Sequence, residues 1–101
     1  MSNVGFPDYS VAGRLTEITK DGTGGINWTA TENCWAFVSF GNTVSTYAVV
    51  NVNGVKVADS HVYSGQEYMV PVCFPLKAGD IVTSRSDSAT AKIYFAAYKM
   101  R

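Results

Sequence analysis

Charge is the scarcest thing in this chain. Asp, Glu, Lys and Arg make up 16% of its 101 residues, against about a quarter in ordinary soluble domains, so little of the surface can be a solvated charged coat. That shortage favours association of copies over a free monomer. Eight basic residues are cancelled by eight acidic ones and never form a run. With no stripe of Lys and Arg to release counterions from a phosphate backbone, nucleic acid is not an expected partner. Long apolar runs are missing too. No stretch approaches the ~20 residues that a membrane helix requires, and Met1–Pro7 holds neither a basic leader nor an apolar segment, so neither membrane insertion nor an export signal is expected.

Residues that carry chemistry are equally thin. His61 is the one histidine, and a single imidazole in a polar stretch is most often a solvated side chain. Asp59 stands too near it in sequence to signal a base oriented by a carboxylate. No nucleophile elbow, Cys-x-x-Cys pair, phosphate loop or calcium loop occurs, and Asp21-Gly22-Thr23-Gly24-Gly25 has the composition of a turn. No paired acid and base signals glycoside hydrolysis. The expectation is a protein that is not an enzyme and uses no metal and no cofactor. Asn27-Trp28-Thr29 matches the glycosylation acceptor pattern but stands in a strand pattern with no export signal beside it, and reads as chance. Cys34 and Cys73 sit in apolar strand patterns, where a pair of buried free thiols is expected; a disulfide between adjacent strands is the alternative.

What the chain does have is alternation. In Asn33-Cys34-Trp35-Ala36-Phe37-Val38-Ser39-Phe40-Gly41, the residues Cys34, Ala36, Val38 and Phe40 fall on one face and Trp35, Phe37 and Ser39 on the other. Both faces are largely apolar, so both need cover. Nothing in the sequence keeps the three-and-four spacing of a helix, and the chain reads as all-β. Residues 1–10 form an N-terminal arm in which Phe6 and Tyr9 are the expected anchors, and residues 11–101 form a single sandwich. Strands are expected over Arg14–Ile18, around Ile26, Trp28 and Ala30, through the central segment, over Thr46–Val52, from Val55, over Glu67–Phe74, over Ile81–Ser84 and over Ala91–Tyr98. Asn53-Gly54 between Val50-x-Val52 and Val55-x-Val57 is the signature of a two-residue hairpin with positive φ at both central positions. Ala58–Gln66 reads mostly as loop, and Pro71, which has no N–H for a ladder, points to an edge strand or a bulge. Eight strands at this spacing indicate an antiparallel β-sandwich or jelly roll.

If successive strands reverse, the connections sort by composition between the two ends. One end receives the tight turns at 31–33, 53–54 and 75–79 together with both termini. The other receives 20–25, 41–45, 59–66 and 85–90, rich in Ser, Thr, Asn, Gly and Tyr, which supply adaptable hydrogen bonding. That end is the candidate recognition face, with Asp21, Asn42, Thr43, His61, Tyr63, Gln66 and Asp87 as candidate receptor-binding residues; simple solvent-exposed connections are the alternative. Trp35, Phe37, Tyr94 and Tyr98 are the candidate oligomer interface. The alternative is that these pack on the opposite sheet while Cys34, Val38 and Phe40 face a partner.

Taken in order, Pro7-Asp8-Tyr9-Ser10, Trp28-Thr29-Ala30, Val52-Asn53-Gly54-Val55-Lys56-Val57, Val70-Pro71-Val72, Pro75-Leu76-Lys77-Ala78-Gly79-Asp80-Ile81-Val82 and Ile93-Tyr94-Phe95-Ala96-Ala97-Tyr98-Lys99 resemble the C-terminal head domains of bacteriophage tail-fibre proteins. The set is also similar to the trimeric jelly rolls of tumour necrosis factor-like and complement-type globular heads. The resemblance implies a homotrimer at the tip of a fibre, made in the host cytoplasm, carried on the virion and binding a bacterial surface receptor, often a saccharide. A structural assembly or capping protein of a phage-like particle, with no receptor of its own, is the alternative.

Overall fold

The computed structural model describes residues 5–21, 25–42, 46–62, 68–86 and 92–101, and the side chains of 5–19, 25–40, 48–59, 72–86 and 92–101. Among the described residues, the arm and one short 3-10 turn, Val11–Gly13, are followed by eight strands: β1 Arg14–Asp21, β2 Asn27–Thr29, β3 Cys34–Asn42, β4 Thr46–Val52, β5 Val55–Val62, β6 Tyr68–Leu76, β7 Ile81–Ser86 and β8 Lys92–Lys99. They form two four-stranded sheets, ordered β1-β8-β3-β6 and β2-β7-β4-β5, with every pairing antiparallel. This is the order of a jelly roll, two Greek keys wrapped into a sandwich. The expected fold class is the observed one.

Register decides which apolar face of β3 makes the core. Ala36 lies opposite Phe74 of β6 and Ala97 of β8, and Val38 opposite Val72 and Phe95. Cys34, Ala36, Val38, Phe40, Ile93, Phe95 and Ala97 are buried, and the second sheet meets them with Ala48, Val50, Ala58 and Val82. Trp28 bridges the layers, its ring 5.5 Å from that of Phe95. The alternative in which Cys34, Val38 and Phe40 face a partner is therefore overturned, because the second sheet already covers them.

A buried polar contact fixes the short strand β2. Ser84 is the one polar residue among the buried residues described, and its Oγ accepts a hydrogen bond from the Ile26 amide at 2.7 Å. The Ser84 amide returns a bond to the Ile26 carbonyl at 3.0 Å. Gly25 precedes this junction, and a Cβ there would come within 2.5 Å of the Ser84 carbonyl oxygen, so the close approach of the two backbones needs glycine.

The tight end is held by side chains acting on backbone. Asn53 and Gly54 both take positive φ, 53° and 80°, as the hairpin signature requires. Asn53 Oδ1 accepts from the Ile81 amide at 2.9 Å while its Nδ2 donates to Asp80 Oδ1 at 3.0 Å. Asp80 Oδ2 accepts from the Lys77 amide, and Asn33 Oδ1 from the Ala78 amide. All three turns at this end are thereby tied together. These bonds hold the Asp80 carboxyl below its ordinary range, the Lys77 amide contributing most and the Asn53 amide next.

Three expectations need correction. β5 continues to Val62, so Ala58–Val62 is strand, not loop; its polar composition suits an edge strand whose pairing with β4 places His61 opposite Tyr47. Cys73 is exposed, whereas Cys34 is buried, since register puts Cys73 opposite Phe37 on the outer face. Phe6 does not anchor the arm, being 82% exposed. Pro71 and Pro75 do lie on an edge strand, opposite Ser39 and Trp35. Residues of equal parity bond to the same side of a strand, so both missing N–H groups fall on one side, and the open edge is the side that tolerates them.

Candidate functional site

With the inner faces spent on the core, the outer face of the β1-β8-β3-β6 sheet carries the unusual surface. Across it run three rows set by register: Arg14, Tyr98, Trp35 and Pro75; Glu17, Ala96, Phe37 and Cys73; Thr19, Tyr94, Ser39 and Pro71. In most antiparallel proteins such a face is polar and meets water. Here aromatic, small and proline residues dominate it, and the charges of Arg14 and Glu17 lie 3.6 Å apart and offset one another.

The arm covers one end of this face. Trp35 Nε1 donates to the Gly5 carbonyl at 2.7 Å. The Tyr9 ring sits 5.8 Å from Phe37 and 5.4 Å from Tyr98, tilted on the first and edge-on to the second, within the spacing at which aromatic pairs attract. Backbone bonds from Asp8 to Lys99 and from Arg101 to Phe6, at 2.9 Å each, extend β8 with a short ribbon in which Pro7 pairs with Met100. Asp8 is held below its ordinary carboxyl range, first by bonds from Ser10 and then by the nearby Arg101 and Lys99.

Beyond the arm the face is open. A depression of about 540 Å³ is lined by Phe37, Ser39, Cys73, Tyr94 and Ala96, with Glu17 and Thr19 at its β1 side. Its volume is in the range of ligand-binding clefts. Tyr94 retains 36% exposure. Cys34, on the other side of β3, has its thiol pushed up to about 11 by burial and, after that, by Glu32 and Asp80, so it stays protonated and unreactive at neutral pH.

The four candidate interface residues thus share one face, but divide: Trp35, Phe37 and Tyr98 touch the arm, and Phe37 and Tyr94 line the depression. Tyr9, Cys73 and Ala96 complete the surface and were not among the candidates. Alternation along β6 and β8 groups Cys73 and Ala96 with the outer set, and Tyr9, expected as an anchor of the arm, fills that role on Phe37 and Tyr98. Of the candidate receptor-binding residues, Asp21 ends β1 opposite Lys92, Asn42 ends β3 opposite Tyr68, and His61 lies within β5. Their side chains, and all of Thr43, Tyr63, Gln66 and Asp87, lie outside the described residues. Among the described residues no group of three His, Cys, Asp or Glu could hold a metal, and no helix is long and apolar enough to cross a membrane.

No family model and no curated protein matches this chain. Among solved structures, a pentameric capsid protein isolated from metagenomic phage sequences superposes with a TM-score of 0.68 at 16% identity, over 92% of this chain and 63% of that one. A second structure of a pentameric capsid protein from metagenomic phage sequences gives 0.66 at 16% identity, over 92% and 66%. A family 35 carbohydrate binding module from an environmental isolate gives 0.48 at 26% identity, over 96% and 84%. The capsid likenesses establish the jelly roll, and the chain spans slightly less than two thirds of those proteins' length.

Proposed function

We propose that this chain is a non-enzymatic component of a phage-type particle and that it works by assembling with copies of itself through the outer face of the β1-β8-β3-β6 sheet. The observation that carries the reading is that face: aromatic, small and proline residues dominate its β8, β3 and β6 positions, with polar residues along β1 and at Ser39, its own chain covers it at one end only, and the protein has little charge elsewhere. Burying an aromatic or aliphatic side chain contributes roughly 1.5–3 kcal/mol, so a few of these residues supply a stable contact. The pentameric phage capsid proteins that share the jelly roll support a place in the virion. A patch that pairs with itself closes as a two-fold dimer, and two different patches that pair head to tail close as a ring where the rotation per copy divides a full turn.

A second reading keeps the homotrimeric receptor-binding head at the tip of a tail fibre, engaging a bacterial surface glycan or protein. It is favoured by the topology, which brings the C-terminal ends of β1, β3, β5 and β7 to one end of the sandwich, where shallow contacts repeated on each copy gain avidity. Both readings need an oligomer. Light scattering is expected to return a whole multiple of the 10.9 kDa chain, with three copies favouring the fibre head; a concentration-independent monomer would overturn both. Adsorption to bacterial cells or binding on a glycan array then separates them, being required for the head and not for a structural component.

A further inference from the structure

On the proposed assembly reading, the arm and the depression beside it form a matched pair, and we infer that the arm of one copy seats in the depression of the next. The arm is a concentration of misplaced apolar surface. Phe6 is 82% exposed, Val11 84% and Tyr9 66%, although the backbone around them is fixed by the bonds to Lys99, Arg101 and Trp35. Held backbone with outward apolar side chains describes a knob. The socket lies alongside: Phe37 touches Tyr9 on the arm side and lines the depression on the other, so the two features are continuous on one sheet face.

Size and charge agree with a second copy as the occupant. At roughly 150–250 Å² per aromatic residue, the exposed parts of Phe6 and Tyr9 on the arm offer about 220–370 Å² and that of Tyr94 in the facing socket about 55–90 Å². A two-fold dimer makes the contact twice and brings each partner to about 280–460 Å² of the ~800 Å² of a standard interface. Val11 enlarges the knob, and Cys73 and Ala96 enlarge the socket. The arm end carries the Arg101 guanidinium, 71% exposed and only loosely set against Asp8 at 3.9 Å, while the socket is rimmed by the Glu17 carboxylate, 64% exposed. Docking an arm in a neighbouring socket sets the Arg101–Asp8 pair beside the Arg14–Glu17 pair, so no charge is brought in without its counter-charge. Because knob and socket are different patches, the contact is made twice in a two-fold dimer or once per interface around a ring.

Cys73 in the socket is a built-in reporter, and Cys34 is buried away from it. The test uses the full chain as Phe6→Cys, a change at an exposed position, oxidised with diamide. A disulfide between Cys73 and the introduced thiol of a neighbouring copy should form on the order of a hundredfold faster than in Val55→Cys, whose site is 65% exposed on the other sheet, because seated thiols face each other at millimolar effective concentration. The linked ladder on a non-reducing gel ends at the number of copies in the closed assembly. Cys73→Ser in the Phe6→Cys background should slow linkage to the rate of Val55→Cys, and Ala96→Trp, which fills the socket, should slow linkage and lower the light-scattering mass. An oligomer whose Phe6→Cys and Val55→Cys forms link equally slowly would overturn the arm-in-socket contact while leaving assembly intact. A chain that is monomeric by light scattering would remove both.

Discussion

Replacing Asn53 by alanine tests how much of the fold is held by the tight end. Alanine at φ 53° carries the left-handed penalty of about 1–2 kcal/mol, and the change removes the bonds to Ile81 and Asp80, each worth about 0.5–1.5 kcal/mol net. Both bonds are exposed to water, so the lower half of that range applies, and the sum is about 2–4 kcal/mol. For a domain of this size that lowers Tm by roughly 8–30 °C. Asn53→Gly keeps the backbone geometry without strain and loses the same bonds, so its fall should be about half as large. Acid titration adds a signed check. The bonds to Asp80 favour its ionised form, so their contribution is complete above the ordinary carboxyl pKa and is lost as pH falls through the lower folded-state value. Removing the Asn53 amide raises that folded value, and the variant's stability should depend less on pH in the acid range. Thermal unfolding followed by circular dichroism at several pH values measures all of this. An Asn53→Ala protein within about 0.5 kcal/mol of the wild type, the range of ordinary surface changes, would refute the reasoning.

Three further changes probe other layers. Ser84→Ala strands the buried Ile26 amide and should destabilise by about 1–3 kcal/mol, read as a shift in urea midpoint at constant slope; an unchanged midpoint would mean that another acceptor reaches that amide. Phe95→Ala removes a core ring packed on Trp28 and should destabilise by about 3–5 kcal/mol, enough to abolish cooperative unfolding in a marginal domain, whereas retained cooperativity at wild-type Tm would contradict the assigned core. Tyr9→Ala deletes the ring contacts with Phe37 and Tyr98 and, with Tyr9 largely exposed, should change Tm by only a few degrees while opening the arm to thermolysin; an arm cleaved no faster than in the wild type would show that Tyr9 does not hold it.

The central strand was legible because its apolar residues alternate without a gap from Cys34 to Phe40, and the Asn53-Gly54 hairpin because few residues tolerate two successive positive φ angles. Pro71 marked its strand as an edge for the same local reason, the missing N–H. Which face of the central strand was inward could not be read, since both are apolar and the decision rests on pairing with residues such as Val72 and Phe95, distant in sequence. Cys73 illustrates the consequence: its strand pattern was read correctly and its burial was not. The continuation of β5 through His61 was hidden because an edge strand with a polar outer face has the composition of a loop. The arm was harder still. The bond from Trp35 to the Gly5 carbonyl uses a backbone acceptor, which no side-chain pattern encodes. The recognition end was inferred from composition alone, and most of its candidate residues lie outside the described structure.

The outer sheet face is the centre of the account, and the alkylation rate of Cys73 as a function of protein concentration tests it most directly. Cys34, buried with its thiol pushed up to about 11, serves as the unreactive internal reference in the same chain. If copies assemble through this face, Cys73 should react freely in dilute monomer and become protected as light scattering registers the oligomer. A Cys73 rate that stays constant while the mass rises would contradict the claim, because the copies would then be meeting through some other surface.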